Sequence, residues 1–288
     1  MGLLLHQNRP IRSRLAPTPS GYLHAGNAVN FAITTALVRA AGGHLHLRID
    51  DLDAERVRSE YIEDIFQLLH WLDIHPDSGP QSAQEAEQYS QRKRIARYEE
   101  ILGVLMRSGR VYACICSRSE ISRRTGGLVY DGHCRNAGHP TASGVLRYHM
   151  ETTAGDPVVR RRDGLPAYHI ASLADDIDQG MNLIVRGEDL RESTAIQLQL
   201  AAALGPLGDA FRSAQFIHHG LLRRQDGEKL SKSKGDSPLT ALRQRGEKLA
   251  FVFQSAAELL GVPAADNLAE LILSVRQAPA TFGAVRDF

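Results

Sequence analysis

Cysteine is scarce in this chain: three residues in 288, at Cys114, Cys116 and Cys134. An extracellular disulfide framework needs more, so the chain reads as a protein of a reducing compartment. Long apolar runs are lacking too. None could span a bilayer, and Leu3-Leu4-Leu5 is too short for the core of a secretory signal. Neither sign of charge dominates: 34 Lys and Arg stand against 33 Asp and Glu, a formal net charge of +1. A nucleic-acid partner would therefore meet local basic clusters and not a basic whole. The candidates are Arg160-Arg161-Arg162, Arg223-Arg224, and the group Arg243, Arg245 and Lys248. Internal repeats and low-complexity tracts are absent. A cytoplasmic, soluble globular protein of one large or two smaller domains is the expectation.

What is there begins with residues 12–27. Ile11 to Ala16 reads as a short strand, and Ala28, Val29, Phe31, Ala32, Ala36, Leu37 and Ala40 then recur at helical spacing. Gly42-Gly43 ends that helix. His44 to Asp50 alternates, with Leu45, Leu47 and Ile49 on one face. The order strand, loop, helix, strand puts the loop at the carboxyl end of the first strand, where open parallel sheets bind ligands. Pro17 and Pro19 stop the strand, and Gly21 and Gly26 allow backbone to approach a ligand closely. His24 lies just ahead of the helix N-terminus, a natural site for an anion.

Far along the chain, Lys229-Leu-Ser-Lys-Ser-Lys-Gly235 is a basic loop containing Ser and Gly. Together, Ser20-Gly-Tyr-Leu-His-Ala-Gly-Asn27 and Lys229-Leu-Ser-Lys-Ser233 resemble the two signatures of class I aminoacyl-tRNA synthetases. Three further motifs narrow the resemblance to the glutamyl group. They are Leu47-Arg-Ile-Asp-Asp-Leu-Asp53, Pro166-Ala-Tyr-His-Ile-Ala-Ser-Leu-Ala-Asp-Asp176 and Ile184-Val-Arg-Gly-Glu-Asp-Leu190. The five run in the family's order from about Arg12 to Gly235. The resemblance implies an α/β, Rossmann-like nucleotide-binding fold in a ligase that activates L-glutamate with ATP, forming an acyl-adenylate and releasing pyrophosphate.

That chemistry needs no enzyme nucleophile. It needs alignment and stabilisation of charge on the α-phosphate and the departing pyrophosphate. The resemblance assigns this to His24, Lys229 and Lys232, with Pro17, Ser20, Gly21 and Gly26 also lining the ATP site; Mg²⁺ is expected with ATP. It gives the glutamate side chain to Arg14, Tyr168 and Arg186; the guanidinium forks of the two arginines suit a planar carboxylate. Ala16 and Ser20 complete that pocket, and Asp50 would hold the substrate ammonium. Here the chain departs from the family, which has Glu in place of Asp50, one methylene longer. Asn27 stands where the general signature has a second His.

The clustered cysteines suggest a structural zinc. Spacing and chemistry alone point to His139, or to His133, as fourth ligand. The small glutamyl-Q branch of the family has Cys-x-Cys followed by Tyr-x-x-x-Cys, which here implies Cys114, Cys116, Tyr130 and Cys134. Residues 114–157 then form a zinc-binding insertion between two halves of the catalytic domain, 1–113 and 158–235. Residues 236–288 form a helical C-terminal piece. A few short helices cannot extend far along a tRNA, at about 1.5 Å per residue. The branch resemblance accordingly implies, as acceptor, the queuosine in the anticodon of tRNA(Asp); a monomer is the expectation. The alternatives are an enzyme charging a tRNA 3′ end or another acceptor, and a non-catalytic paralogue that binds tRNA or nucleotide.

Overall fold

The computed structural model describes residues 9–127, 129–151, 155–222, 239, 243 and 249–278. The chain divides into two compact units. One comprises Met1–Gln91, Met181–Arg191 and Ala214–Phe288; the other comprises Arg92–Gly180 and Glu192–Ser213. The first opens with β1 (Arg12–Leu15), α1 (Ala25–Ala40), β2 (His44–Leu47) and α2 (Ser59–Trp71). The second holds α3 (Ile95–Arg107), β3 (Val111–Cys114), α4 (Arg118–Thr125), β4 (Val145–Tyr148), β5 (Val158–Arg160) and α5 (Tyr168–Asp178). β6 (Leu183–Gly187) returns to the first unit. All but the first residue of α6 (Arg191–Ala203), together with α7 (Asp209–Arg212), lies in the second. β7 (Gln215–His219), α8 (Ala250–Leu260) and α9 (Leu268–Gln277) complete the first. No helix among the described residues is long and apolar enough to cross a membrane.

In the first unit β1 pairs with β2 and β6 with β7, both in parallel. Asn182 stitches the two ribbons together. Its backbone N–H donates to the Arg12 carbonyl at 3.1 Å, and its Oδ1 accepts from the Arg12 N–H at 2.7 Å. The expected strand–loop–helix–strand opening is present in the expected order. α1 is buried along most of its length, with Ala28, Val29, Ala32, Ile33, Ala36 and Leu37 inaccessible to solvent. Small and branched side chains let it lie between the strands and the two last helices. Val252, Ala256, Leu271 and Val275 of α8 and α9 belong to the same core as β1, α1 and β2.

In the second unit β3, β4 and β5 form an antiparallel sheet in that order. α3 is bound to α5 by Arg94, which donates to the fully buried Asp175 and to Asp178, both at 2.7 Å. The Tyr98 hydroxyl donates to the same Asp175 at 3.0 Å. The short α4 was not foreseen. It carries a single buried apolar residue, Ile121, so it has no stripe, but its capping box is local. The Ser117 hydroxyl accepts from the Glu120 N–H at 3.2 Å, and the Glu120 carboxylate accepts from the Ser117 N–H at 2.6 Å. Gly144 permits the adjoining turn, since a Cβ there would lie 2.3 Å from the Cys114 carbonyl oxygen.

Candidate active site

The loop after β1 delivers His24 as N-cap of α1. Two side chains fix its backbone. The Leu23 N–H donates to Asp64 Oδ2 of α2 at 2.9 Å, and the His24 N–H donates to Asn27 Oδ1 at 3.0 Å. Asn27 is therefore an N-terminal capping residue, which gives a physical reason for a small polar group at that signature position. The imidazole lies over Gly26. A Cβ at Gly26 would meet its ring atoms at 3.0 and 3.1 Å, so a side chain there would displace the ring. The helix start adds backbone N–H groups with their positive end of the dipole. An imidazole held at such a point is suited to donating to phosphate oxygens.

Beside this loop lies the end of β2. The Asp50 N–H donates to the Pro17 carbonyl at 2.9 Å, which ties the two segments together. Asp50 is 8% exposed and its carboxylate is engaged. Arg48, itself 3% exposed, donates from Nε at 2.6 Å to Oδ1 and from Nη2 at 3.4 Å to Oδ2. Gln91 donates to Oδ1 at 3.3 Å. The neighbouring Asp51 accepts from the Gln91 N–H at 2.8 Å and from the Ser90 hydroxyl at 2.6 Å. The shorter carboxylate of this chain is thus drawn onto Arg48 and Gln91. Breaking a buried ion pair from one side costs about 3–5 kcal/mol. Asp50→Ala should therefore lower unfolding stability by that amount in a urea titration, with Asp50→Asn milder; an unchanged midpoint for Asp50→Ala would contradict the pairing.

Among the other expected site residues, Arg14 is buried on β1 and Arg186 is 3% exposed near the end of β6, in register with His218 of β7. Burial, followed by the charges of Arg191 and Arg186, pushes His218 down to about 4, so it is neutral at physiological pH. Pro17 is buried, Ala16 and Gly21 are half-buried, and Ser20 is exposed at the turn. Tyr168 opens α5 in the second unit and is 44% exposed. Lys229 and Lys232 lie outside the described residues. Asp64, Arg48, Gln91 and Ser90 were missed from sequence. The contacts of Asp64, Gln91 and Ser90 join residues distant in the chain, and only the long-range pairing shows them; Arg48 lies two residues from Asp50, within a motif read in the sequence, but its ion pair is set by the fold.

The three cysteines converge. Their Sγ atoms all lie within 4.8 Å of one another, and none is in a disulfide. Among the described residues no histidine, neither His133 nor His139, joins that group. The Tyr130 hydroxyl accepts from the Cys134 N–H at 2.8 Å, and the Arg147 guanidinium stacks 3.9 Å from the centre of its ring. Burial would raise the Cys134 thiol, but hydrogen bonds from Tyr130, the Ile115 backbone and the other two thiols draw it down to about 7. Arg135 donates to the buried Asp156 at 2.6 and 2.9 Å, which anchors the loop that carries Cys134. Three soft thiols and a phenol converging in this way make a donor set that could hold a metal ion.

The basic clusters have internal partners where they are described. Arg160 pairs with Glu99 at 2.6 Å, Arg161 with Asp163 at 2.7 Å, and Arg162 donates to the Ile115 carbonyl at 3.3 Å. Arg243 pairs with Asp64 at 3.2 Å. Arg223, Arg224, Arg245 and Lys248 lie outside the described residues.

Comparison with known proteins places this geometry among others. A family model described as tRNA synthetases class I (E and Q), catalytic domain, matches residues 10–135 and 133–275. A glutamyl-Q tRNA(Asp) synthetase of Synechococcus sp. (strain CC9605) is 38% identical over 278 residues, covering 92% of this chain and 89% of the relative. One from Nitratidesulfovibrio vulgaris is 34% identical over 286 residues, covering 88% and 87%. The crystal structure of glutamate-tRNA synthetase from Elizabethkingia anophelis has the same fold, with a TM-score of 0.74 at 24% identity. It aligns with 92% of this chain, which spans 66% of that one.

Proposed function

The chain belongs to the class I tRNA synthetases of the glutamate and glutamine group, alongside the glutamyl-Q tRNA(Asp) synthetases, and on that premise we propose that it activates L-glutamate with ATP and passes it to the queuosine of a tRNA(Asp) anticodon. It is a ligase with a class I catalytic fold. In the proposed reaction a carboxylate oxygen of glutamate attacks the α-phosphorus of ATP. The bond to pyrophosphate breaks, and glutamyl-adenylate forms. A hydroxyl of the queuosine cyclopentene-diol then attacks the acyl carbon, AMP leaves, and the hydroxyl proton is lost to solvent.

The observation that carries this reading is the His24 turn, with consecutive N–H groups at 23 and 24 both held by side chains and the imidazole set at a helix start. His24 donates to phosphate oxygens there, and Pro17, Ser20, Gly21 and Gly26 bring backbone close to ATP. Lys229 and Lys232 bring positive charge to the same phosphates, and Mg²⁺ arrives with the nucleotide. Arg14 and Arg186 of the first unit take the side-chain carboxylate of glutamate, with Ala16 and Ser20 beside it. Asp50 takes the ammonium, sharing its charge with Arg48. The enzyme acts as a cytoplasmic monomer.

ATP–pyrophosphate exchange measured across the twenty amino acids, with and without tRNA, tests the activation step. Glutamate should be the substrate that supports exchange. Exchange with a different amino acid, or with none, would contradict the reading.

Cys114, Cys116, Cys134 and Tyr130 fit a structural Zn²⁺. A closed four-ligand site leaves no position for a catalytic water, so the ion would hold β3, α4 and the Cys134 loop together. Elemental analysis should find one zinc per chain. Tyr130→Phe should surrender it to a weaker chelator than the parent does; equal retention would exclude Tyr130 as a ligand.

A further inference from the structure

Asp64 lies outside every signature motif, yet it is 3% exposed and touches the candidate catalytic turn. One oxygen, Oδ2, accepts from the Leu23 N–H, next to His24, at 2.9 Å. The other, Oδ1, accepts from Arg243 Nη2 at 3.2 Å. The same Nη2 donates to Gln67 Oε1 at 2.6 Å, and the guanidinium lies 6.0 Å from the ring of Trp71, the single tryptophan of the chain. We propose that Asp64 is a positioning residue for adenylate formation: one buried carboxylate holds the turn that presents His24 and is itself held by Arg243. This inference rests on the role given to His24 above.

A buried backbone N–H needs an acceptor, and Asp64 supplies one at the residue before the imidazole. A buried carboxylate in turn needs compensation, and Arg243 supplies a cation to it. Loss of Asp64 would leave the Leu23 N–H without this acceptor and let the turn relax. A shift of about 1 Å in an aligned group can cost on the order of 100-fold in rate. Amino-acid binding, which uses other residues, should be little affected.

The test is steady-state ATP–pyrophosphate exchange with glutamate on the full-length protein, with Trp71 emission as a second readout of Arg243 docking. Asp64→Ala should lower kcat by about tenfold or more while the glutamate KM stays within about twofold. Its emission should match that of Arg243→Ala. The double variant should be no slower than Asp64→Ala alone, because Arg243 acts on the turn through Asp64. If Asp64→Ala does not fold, Asp64→Asn carries the test. Its amide oxygen can still accept from Leu23, so kcat should fall less, while emission still shifts to the Arg243→Ala value. Unchanged kcat in Asp64→Ala, losses that multiply in the double variant, or parental emission in Asp64→Asn would each overturn the inference alone. A parent protein that shows no exchange with glutamate would overturn the functional reading and this inference with it.

Discussion

Lys232→Ala will slow ATP–pyrophosphate exchange with glutamate by on the order of 10²–10³-fold, about 2.7–4 kcal/mol in the activation step. As the carboxylate attacks, negative charge accumulates on the α-phosphate and on the departing pyrophosphate. His24 can donate to that charge from one side. The second basic element is the Lys-Leu-Ser-Lys-Ser stretch at residues 229–233. Lysine suits the task because its ammonium is a compact charge on a flexible stem, free to follow phosphate oxygens as they move. The loss should fall mainly on kcat, since an interaction strongest in the transition state contributes little to substrate binding. Lys232→Arg should recover only part of the activity, because the guanidinium is planar and less able to follow the phosphate. Exchange by Lys232→Ala at the parent rate would remove this residue from the mechanism.

The parts of the fold legible in sequence are those with a local signal. The opening β1–α1–β2 unit was legible because apolar residues recur at 3.6 along α1 and alternate along β2, with Gly42-Gly43 between them. α2, α3, α8 and α9 carry the same kind of local signal, and Asn267 caps α9 by accepting from the Glu270 N–H at 3.0 Å. β4, β5 and β7 carried no comparable signal. They are three to five residues long, and mixed side chains such as Arg147 and His218 interrupt their pattern. α5 was not recognised as a helix either; its buried Asp175 and Asp176 interrupt what would otherwise be an apolar face.

The candidate site divides in the same way. The cysteine cluster was visible because all three residues of that type fall within one short segment. Tyr130 was reachable only through resemblance; nothing in its neighbours marks it as facing the thiols. The pinning of Leu23 by Asp64 spans 41 positions in sequence, and that of Asp50 by Gln91 spans 41 as well. Such contacts are set by packing of helices and strands, and no local pattern encodes them. The one-methylene departure at Asp50 was visible in sequence, but its consequence was not. The structure shows the shorter side chain held by Arg48 and Gln91.

The second large effect concerns the acceptor. The two glutamyl-Q tRNA(Asp) synthetases described above match this chain over 87% and 89% of their own length. An anticodon loop offers its bases unstacked, so a modified base can be taken into a site and read at close range. A net charge of +1 is compatible with gripping one RNA arm through a few cations, with affinity that weakens as salt rises. The hydroxyl that receives glutamate would belong to the cyclopentene-diol of queuosine, which unmodified tRNA(Asp) lacks. Acceptance should therefore be nearly all-or-none with respect to the modification. Labelled glutamate and ATP should be supplied to the protein together with, in separate reactions, tRNA(Asp) carrying queuosine, tRNA(Asp) from queuosine-deficient cells, and tRNA(Glu). The account predicts label on the first alone, released by treatment that hydrolyses esters and retained when the 3′ end is removed. Efficient labelling of unmodified tRNA(Glu) at its 3′ end, with none on queuosine-containing tRNA(Asp), would contradict it.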